Sequence, residues 1–99
     1  MRYVEAANRF DPSAAVACFS RDAVVHDEQQ DHVGANAIAR WIAQTSRDYR
    51  PHVTVIRAQT TGDTVRMGVT VAGDFPGSPV DLDYELRLRD GKIARLNIR

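Results

Sequence analysis

The stretch Phe19–Asp27 contains the residue best suited to chemistry. Its sequence, Phe-Ser-Arg-Asp-Ala-Val-Val-His-Asp, predicts the end of a helix, a break over residues 20–22, and a short apolar strand over residues 23–27. The strand delivers the carboxylate of Asp27 at its tip, where we expect it to face the space between a sheet and its helices. Desolvation among apolar side chains would make this carboxylate a stronger base, able to accept and return a proton beside an activated carbonyl.

Asp27 has a second interpretation as an exposed turn residue. It also begins the polar segment 27–31, and acidic side chains at strand ends commonly stabilise turns. Burial against the helices therefore decides between a base and a turn residue.

The neighbouring histidines raise the question of a metal site. His26, Asp27, Asp31 and His32 lie within seven residues, and imidazole and carboxylate groups are metal ligands. However, adjacent residues of a strand point to opposite faces, and the set lacks the paired spacing of zinc motifs. We therefore expect no metal and no other cofactor. His32 stays a candidate second acid or base that reaches over the site.

Length and composition limit the kind of protein. The 99 residues predict one domain, 1–99, with a single core of modest size. Thirteen basic and thirteen acidic residues cancel, so the composition offers no nucleic-acid footprint. Cys18 is the only cysteine, which excludes an internal disulfide. The sequence shows neither a signal segment nor an apolar run of membrane length, and we expect a cytoplasmic protein with no membrane contact.

Three helices are predicted in the first half of the chain. Residues 3–10 have helical spacing, and Asp11-Pro12 predicts the cap and first position of a second helix that extends to about Phe19. Residues 28–33 are polar and loop-like, Gly34 predicts a turn, and Asn36 is a candidate cap for the third helix. An amphipathic pattern up to Pro51 defines that helix: Ile38, Trp41, Ile42, Thr45 and Tyr49.

The second half of the chain predicts antiparallel strands. Alternation with a period of two begins at His52, continues across a turn at residues 61–63, and resumes after a loop at residues 75–79. Residues 80–89 alternate without exception, and Asp90-Gly91 predicts a hairpin into a last strand over residues 93–98. The charged face of this strand favours cross-strand ion pairs, and four arginines fall on strands that could sit opposite it: Arg57, Arg66, Arg95 and Arg99. Helices followed by a sheet predict an α+β fold.

The chain resembles the nuclear transport factor two-like superfamily, in particular its SnoaL-like and ketosteroid-isomerase-like branch. The resemblance covers essentially all 99 residues, and its best markers are Arg2-Tyr3-Val4, Asn8, Asp11, the run 19–27, Gly34, Ala37-Ile38, Trp41 and Asp90-Gly91-Lys92-Ile93. It implies a strongly curved antiparallel sheet wrapped around three helices, a cone-shaped α+β barrel or cystatin-like roll with an apolar pocket.

The resemblance also implies roles for individual residues. Asp27 matches the general base of the steroid-isomerase branch, and Tyr3 matches the tyrosine that donates a hydrogen bond to the developing oxyanion. The partner carboxylic acid of that branch is replaced here by Tyr84, with Asp83 on the opposite face of the strand. A phenol also donates a hydrogen bond, so the site would be changed rather than lost. The pocket wall would consist of Phe19, Val25, Trp41, Met67 and Leu82.

Together these observations predict a proton-transfer enzyme for an apolar, carbonyl-containing metabolite, of isomerase, cyclase or dehydratase type. Asp27 would be the base, Tyr3 and Tyr84 the hydrogen-bond donors, and His32 a helper. The alternative is a non-catalytic small-molecule-binding or dimerisation domain of the same fold, since this superfamily hosts both kinds. The resemblance further implies a homodimer through the outer face of the sheet.

Overall fold

Three helices lie against one face of a six-stranded sheet in the computed structural model, which describes all 99 residues. The helices are α1 (Arg2–Asn8), α2 (Pro12–Val16) and α3 (Gly34–Tyr49). The strands are β1 (Phe19–Asp27), β2 (Gln30–Val33), β3 (His52–Thr61), β4 (Thr64–Ala72), β5 (Val80–Arg89) and β6 (Lys92–Ile98). The expected α+β fold, a curved sheet around three helices, is confirmed.

The strands follow the order β2-β1-β6-β5-β4-β3, and the sheet does not close. All neighbours are antiparallel except β1 and β6, which run parallel. The sequence does not indicate this parallel pair, because pairing between distant strands leaves no local pattern. Register shifts interrupt β1, β3 and the β5–β6 pair, and such bulges bend a sheet around what it covers.

The core lies between the inner face of the sheet and the helices. The third helix buries Ile38, Trp41 and Ile42, as its spacing predicts. On the strands the fully buried side chains include Val25, Val69, Leu86 and Leu96, with no polar residue among the buried set. The inner face of the sheet is the one towards the helices, and the outer face is the opposite one.

The second helix is shorter than the sequence predicts. Asp11 caps it as expected, accepting a hydrogen bond from the Ala14 backbone N–H at 3.1 Å, but the helix ends at Val16. Phe19 already begins β1, and the break expected over residues 20–22 is wrong, since these residues continue the strand. Pairing with β6 outweighs the local helical pattern: the Cys18 carbonyl accepts from the Ile93 N–H at 2.8 Å.

The segment 28–33, which the sequence predicts to be a loop, contains a strand. Only Glu28 and Gln29 turn the chain, with φ of 52° and 64°, and residues 30–33 form β2 along β1. Asn36 is not the cap of α3, which begins at Gly34 after an extended Val33 that makes no side-chain cap. Gly34 does make the predicted turn, with φ of 86°.

The outer face of the sheet carries cross-strand ion pairs. Three of the predicted arginines contact acids of β5, with distances of 3.3 Å for Arg57–Asp83, 3.1 Å for Arg66–Glu85 and 3.9 Å for Arg99–Glu85. Arg95 also lies opposite the charged run, but its partner there is Arg87, and it donates to the Asn97 Oδ1 at 3.0 Å. Exposed pairs of this kind each contribute at most about 1 kcal/mol to stability. Pairing of two copies through this face stays a prediction. No helix is long and apolar enough to span a membrane.

Candidate active site

Asp27 lies at the end of β1 and contacts α3. Its side chain is half-buried, and its Oδ2 accepts a hydrogen bond of 3.1 Å from the indole Nε1–H of Trp41. His26 points to the outer face, where its Nδ1 lies 2.6 Å from the Oδ1 of Asp31. The alternation along β1 therefore separates His26 from Asp27 as predicted. No group of three or more His, Cys, Asp or Glu side chains is placed to hold a metal ion.

His32 joins Asp27 through the same tryptophan. It lies opposite Val25 in the β1–β2 pair, so it shares the inner face with Asp27. Its ring stacks on that of Trp41, with centroids 5.8 Å apart and an angle of 30° between the planes. The indole thus contacts both side chains: the imidazole of His32 stacks on its ring face, and the carboxylate of Asp27 accepts from its Nε1–H.

Tyr84 and Tyr3 approach the site from β5 and α1. Both side chains are buried, with 6% and 5% of their surface exposed. Tyr84 pairs with Ile98 of β6, and β6 lies between β5 and β1, so Ile98 separates Tyr84 from the end of β1. The ring of Tyr3 meets Phe19 edge to face, with centroids 5.3 Å apart.

The charge of Asp27 contributes to the pKa of both phenols. Burial raises the pKa of Tyr3 well above its usual range, and the phenol of Tyr84 and the charge of Asp27 raise it further. Burial likewise raises the pKa of Tyr84, with the Asp27 charge adding to the effect. Both tyrosines therefore stay protonated at neutral pH and keep an O–H to donate.

Three oxygen atoms of the site, the two phenol oxygens and one carboxylate oxygen, lack a hydrogen-bond partner within the chain. Neither phenol oxygen has a hydrogen-bond partner within the chain, and no buried side-chain oxygen or nitrogen is sealed off without one. Each hydroxyl therefore borders space that water can enter. Asp27 uses only its Oδ2 for Trp41, which leaves Oδ1 without a partner in the chain.

The residues predicted to line the pocket each adjoin a catalytic candidate. Trp41 contacts Asp27, Phe19 contacts Tyr3, and Met67 lies opposite Tyr84 in the β4–β5 pair. Val25 and Leu82 precede Asp27 and Tyr84 by two positions on their strands and share their faces. Leu82 is half-buried, whereas the other four are buried in the core.

Two features of the site were not predicted. Ile98 lies between the strands of Asp27 and Tyr84, but the sequence shows it only as one apolar residue of the last strand. Trp41 was expected to be a wall residue, and its hydrogen bond to Asp27 was missed. The available signal is chemical: a buried indole N–H requires an acceptor, and Asp27 ends the apolar strand that we expected beside this helix.

Two open depressions of the surface lie away from the candidate site. They have volumes of about 410 and 250 Å³, are on the outer face of the sheet and contact none of the predicted site residues. The enclosed apolar pocket implied by the resemblance stays a prediction.

Comparison with known proteins identifies the family. Residues 1–96 match the SnoaL-like domain. A candidate polyketide cyclase from Sinorhizobium meliloti is 37% identical, with a TM-score of 0.95 over 99% of this chain and 90% of that one. A Catenulispora acidiphila protein with a ketosteroid isomerase-like fold, solved with trimethylamine, is 24% identical, with a TM-score of 0.88 over 99% of this chain and 81% of that one.

Similarity of fold extends further than similarity of function. A de novo designed protein with a curved sheet is 19% identical, with a TM-score of 0.74 over 99% of this chain and 92% of that one. No curated protein matches the chain. The fold alone therefore does not define an activity. The match over residues 1–96 and the 37% identity to the Sinorhizobium protein show that this chain belongs to the SnoaL-like domain family.

Proposed function

We propose that this protein is a proton-transfer enzyme of isomerase, cyclase or dehydratase type, acting on an apolar metabolite that contains a carbonyl group. One observation carries the proposal: a half-buried carboxylate, Asp27, lies on the helix-facing side of the sheet, one strand away from the buried phenol of Tyr84, and the buried Tyr3 comes from the helical layer on that side. A base beside neutral hydrogen-bond donors is the arrangement that enolisation requires.

The reaction begins with Asp27. Its Oδ1 removes the proton from the carbon next to the substrate carbonyl, and the electron pair of that C–H bond moves to form an enolate. The phenol of Tyr84, assisted by Tyr3, donates a hydrogen bond to the enolate oxygen. In an isomerase, Asp27 then returns the proton to another carbon of the enolate. In a cyclase, the enolate carbon attacks a second carbonyl of the substrate, and the alkoxide that forms takes the proton from Asp27. In a dehydratase, the enolate expels the hydroxyl group of the neighbouring carbon, which leaves as water with that proton. No redox partner is required, because the proton is only moved.

Trp41 acts as a positioning residue in this scheme. Its Nε1–H holds the Oδ2 of Asp27 at 3.1 Å, so that the free Oδ1 points in a defined direction. Donors and bases that are fixed before the substrate binds need little reorganisation during the reaction. His32, which stacks on the same indole and shares the inner face with Asp27, is the candidate second acid or base.

The spacing of the strands supports a compact substrate. Asp27 and Tyr84 are on strands separated by β6 alone, so their backbones are two strand spacings apart, or about 10 Å. Side chains on the same face project in roughly the same direction, so we expect the base and the donor to be a similar distance apart, which suits one ring or a short chain. Ile98 and Met67 supply apolar surface beside them, which favours an apolar molecule. The related Sinorhizobium protein is described as a candidate polyketide cyclase, and polyketides contain such carbonyl groups.

A binding protein without activity is the second candidate. Tyr84 stands where the resemblance implies a carboxylic acid, and a phenol kept protonated by burial donates a weaker hydrogen bond to an enolate than a carboxylic acid does. The same pocket would then hold an apolar carbonyl compound without removing its proton.

The test is exchange of α-protons. Indanone, an apolar cyclic ketone, is incubated with the protein in deuterium oxide, and loss of the α-proton signal is followed by NMR. Asp27→Asn should slow exchange by at least about a hundredfold while the protein stays folded. The matched control is Asp31→Asn, since Asp31 is exposed on the outer face.

The outcomes separate the candidates. Normal exchange by Asp27→Asn would exclude Asp27 as the base. If indanone or a related ketone binds to the wild-type protein but exchanges no faster than in buffer, the binding protein is the better description.

A further inference from the structure

Two arginines face each other on the outer side of the sheet without an acid between them. Arg87 of β5 lies directly opposite Arg95 of β6 and opposite Thr64 of β4, so these three residues form a row across three strands. The adjacent row consists of Arg66, Glu85 and Asn97. Together the two rows line the depression of about 410 Å³, which has no hydrophobic residue in its lining.

Charge balance sets this pair apart from the other arginines of the face. Arg57, Arg66, Arg89 and Arg99 each contact a carboxylate within 4 Å, whereas Arg87 and Arg95 contact none. Glu85, the single acid in the depression, already contacts Arg66 at 3.1 Å and Arg99 at 3.9 Å. Arg95 contacts only the amide oxygen of Asn97.

The arrangement costs free energy unless something compensates it. Like charges directly opposite each other on neighbouring strands destabilise a sheet. The chain as a whole has a formal net charge of zero, so this positive excess is local and does not reflect a generally basic protein.

We infer that the depression is a binding site for a small oxyanion of the phosphate type. Guanidinium groups offer paired N–H donors that match the oxygens of phosphate, and two of them side by side can contact one anion from both sides. The hydroxyl of Thr64 and the amide N–H groups of Asn97 add neutral donors at the edges of the same depression. Negative charge between Arg87 and Arg95 would offset their mutual repulsion.

This site is independent of the proposed enzyme activity. Its residues lie on the outer face, whereas Asp27 contacts α3 on the inner face. An anion here would contact neither the carboxylate nor the phenols. Failure of one proposal therefore leaves the other standing.

Titration with inorganic phosphate tests the inference. The full chain is titrated with phosphate at constant ionic strength, with chloride as the balancing anion, while the side-chain Nε–H signals of the arginines are followed by NMR. The signals of Arg87 and Arg95 should shift and saturate. Arg87→Gln and Arg95→Gln should each weaken binding by about tenfold or more, because each removes charged hydrogen-bond donors. Arg57→Gln, which removes an ion-paired arginine of the same face, should leave the affinity unchanged.

Three results would overturn the inference. Shifts that rise linearly without saturation, or equal weakening by Arg57→Gln, would show only general screening of charge. The titration is repeated at a tenfold higher protein concentration. Phosphate binding that weakens at the higher concentration would assign the depression to a second copy of the chain, which the expected homodimer would place on this face.

Discussion

Trp41 fixes the orientation of Asp27 from the helical side of the site, through a hydrogen bond of 3.1 Å between the indole Nε1–H and the carboxylate Oδ2. The bond joins the middle of α3 to the last residue of β1. It therefore connects packing of the third helix to the direction of the proposed base. Its contribution to stability can be measured.

Removing the indole N–H should destabilise the fold. We expect Trp41→Phe to lower the free energy of unfolding by about 1–2 kcal/mol, because it removes a hydrogen bond to a charged group that water also reaches in part. Urea denaturation of Trp41→Phe, Asp27→Ala and the double variant would isolate the pair. Their coupling free energy should be at least about 0.5 kcal/mol. Fully additive effects would show that the contact contributes nothing.

Removing either phenol oxygen should slow catalysis more than it weakens binding. A donor that acts on the developing enolate stabilises the transition state, so Tyr84→Phe should lower kcat by about a hundredfold and change KM little. Tyr3→Phe should have the same kind of effect. Tyr49→Phe is the control, since Tyr49 packs on Phe75 at the far end of α3. A rise in KM with unchanged kcat would mean that the hydroxyls only bind the substrate.

Alkaline pH should destabilise the protein through the same two tyrosines. Their pKa values are raised in the folded state, chiefly by burial, so the unfolded chain loses these protons first. The stabilising contribution is thus complete below about pH 10, the usual tyrosine pKa, and declines as the pH rises above it. Denaturation midpoints at several pH values from neutral to strongly alkaline would show the decline. Tyr84→Phe should make it less steep, whereas an unchanged slope would contradict the assignment.

Two glycines with equally close contacts should differ in their tolerance of a methyl group. A Cβ at Gly68 would lie 2.5 Å from the end of the Arg57 side chain, and a Cβ at Gly73 would lie 2.5 Å from the backbone oxygen of Tyr49. The arginine can move away at the cost of an exposed ion pair, so Gly68→Ala should cost less than about 1 kcal/mol. The Tyr49 carbonyl already accepts from the Asp74 N–H and cannot move freely, so Gly73→Ala should cost about 1–3 kcal/mol. Thermal denaturation of both variants would compare them; equal losses would contradict this reasoning.

The sequence predicts the elements whose residue pattern lies within one short stretch of the chain. Strand β5 alternates over its whole length, and Asp90-Gly91 forms the expected turn, with φ of 52° and 77° at its two residues. Tyr84 faces inward for the same reason. Strand β2 was missed because it is a polar edge strand whose pairing depends on backbone groups of β1 rather than on apolar alternation.

The candidate site shows the same difference between features set by a local pattern and features set by the packing of distant elements. The position of Asp27 at a strand tip follows from the pattern of residues 23–27. Its contact with Trp41 does not, because it depends on where α3 lies over the sheet. Likewise, the place of Ile98 between Asp27 and Tyr84 depends on the parallel pairing of β1 with β6, which no short-range signal encodes.

That parallel pair also determines when the site can exist during folding. Val25 pairs with Leu96, about 70 residues later, and contacts between such distant segments form slowly because a long loop must close first. Asp27 and Trp41 can meet early, since only a turn, β2 and half of α3 separate them. The apolar surface at Ile98 and the phenol of Tyr84 come from strands that follow β1 and α3 in the chain. We therefore expect the carboxylate of Asp27 to stay exposed to water during folding until β6 pairs with β1.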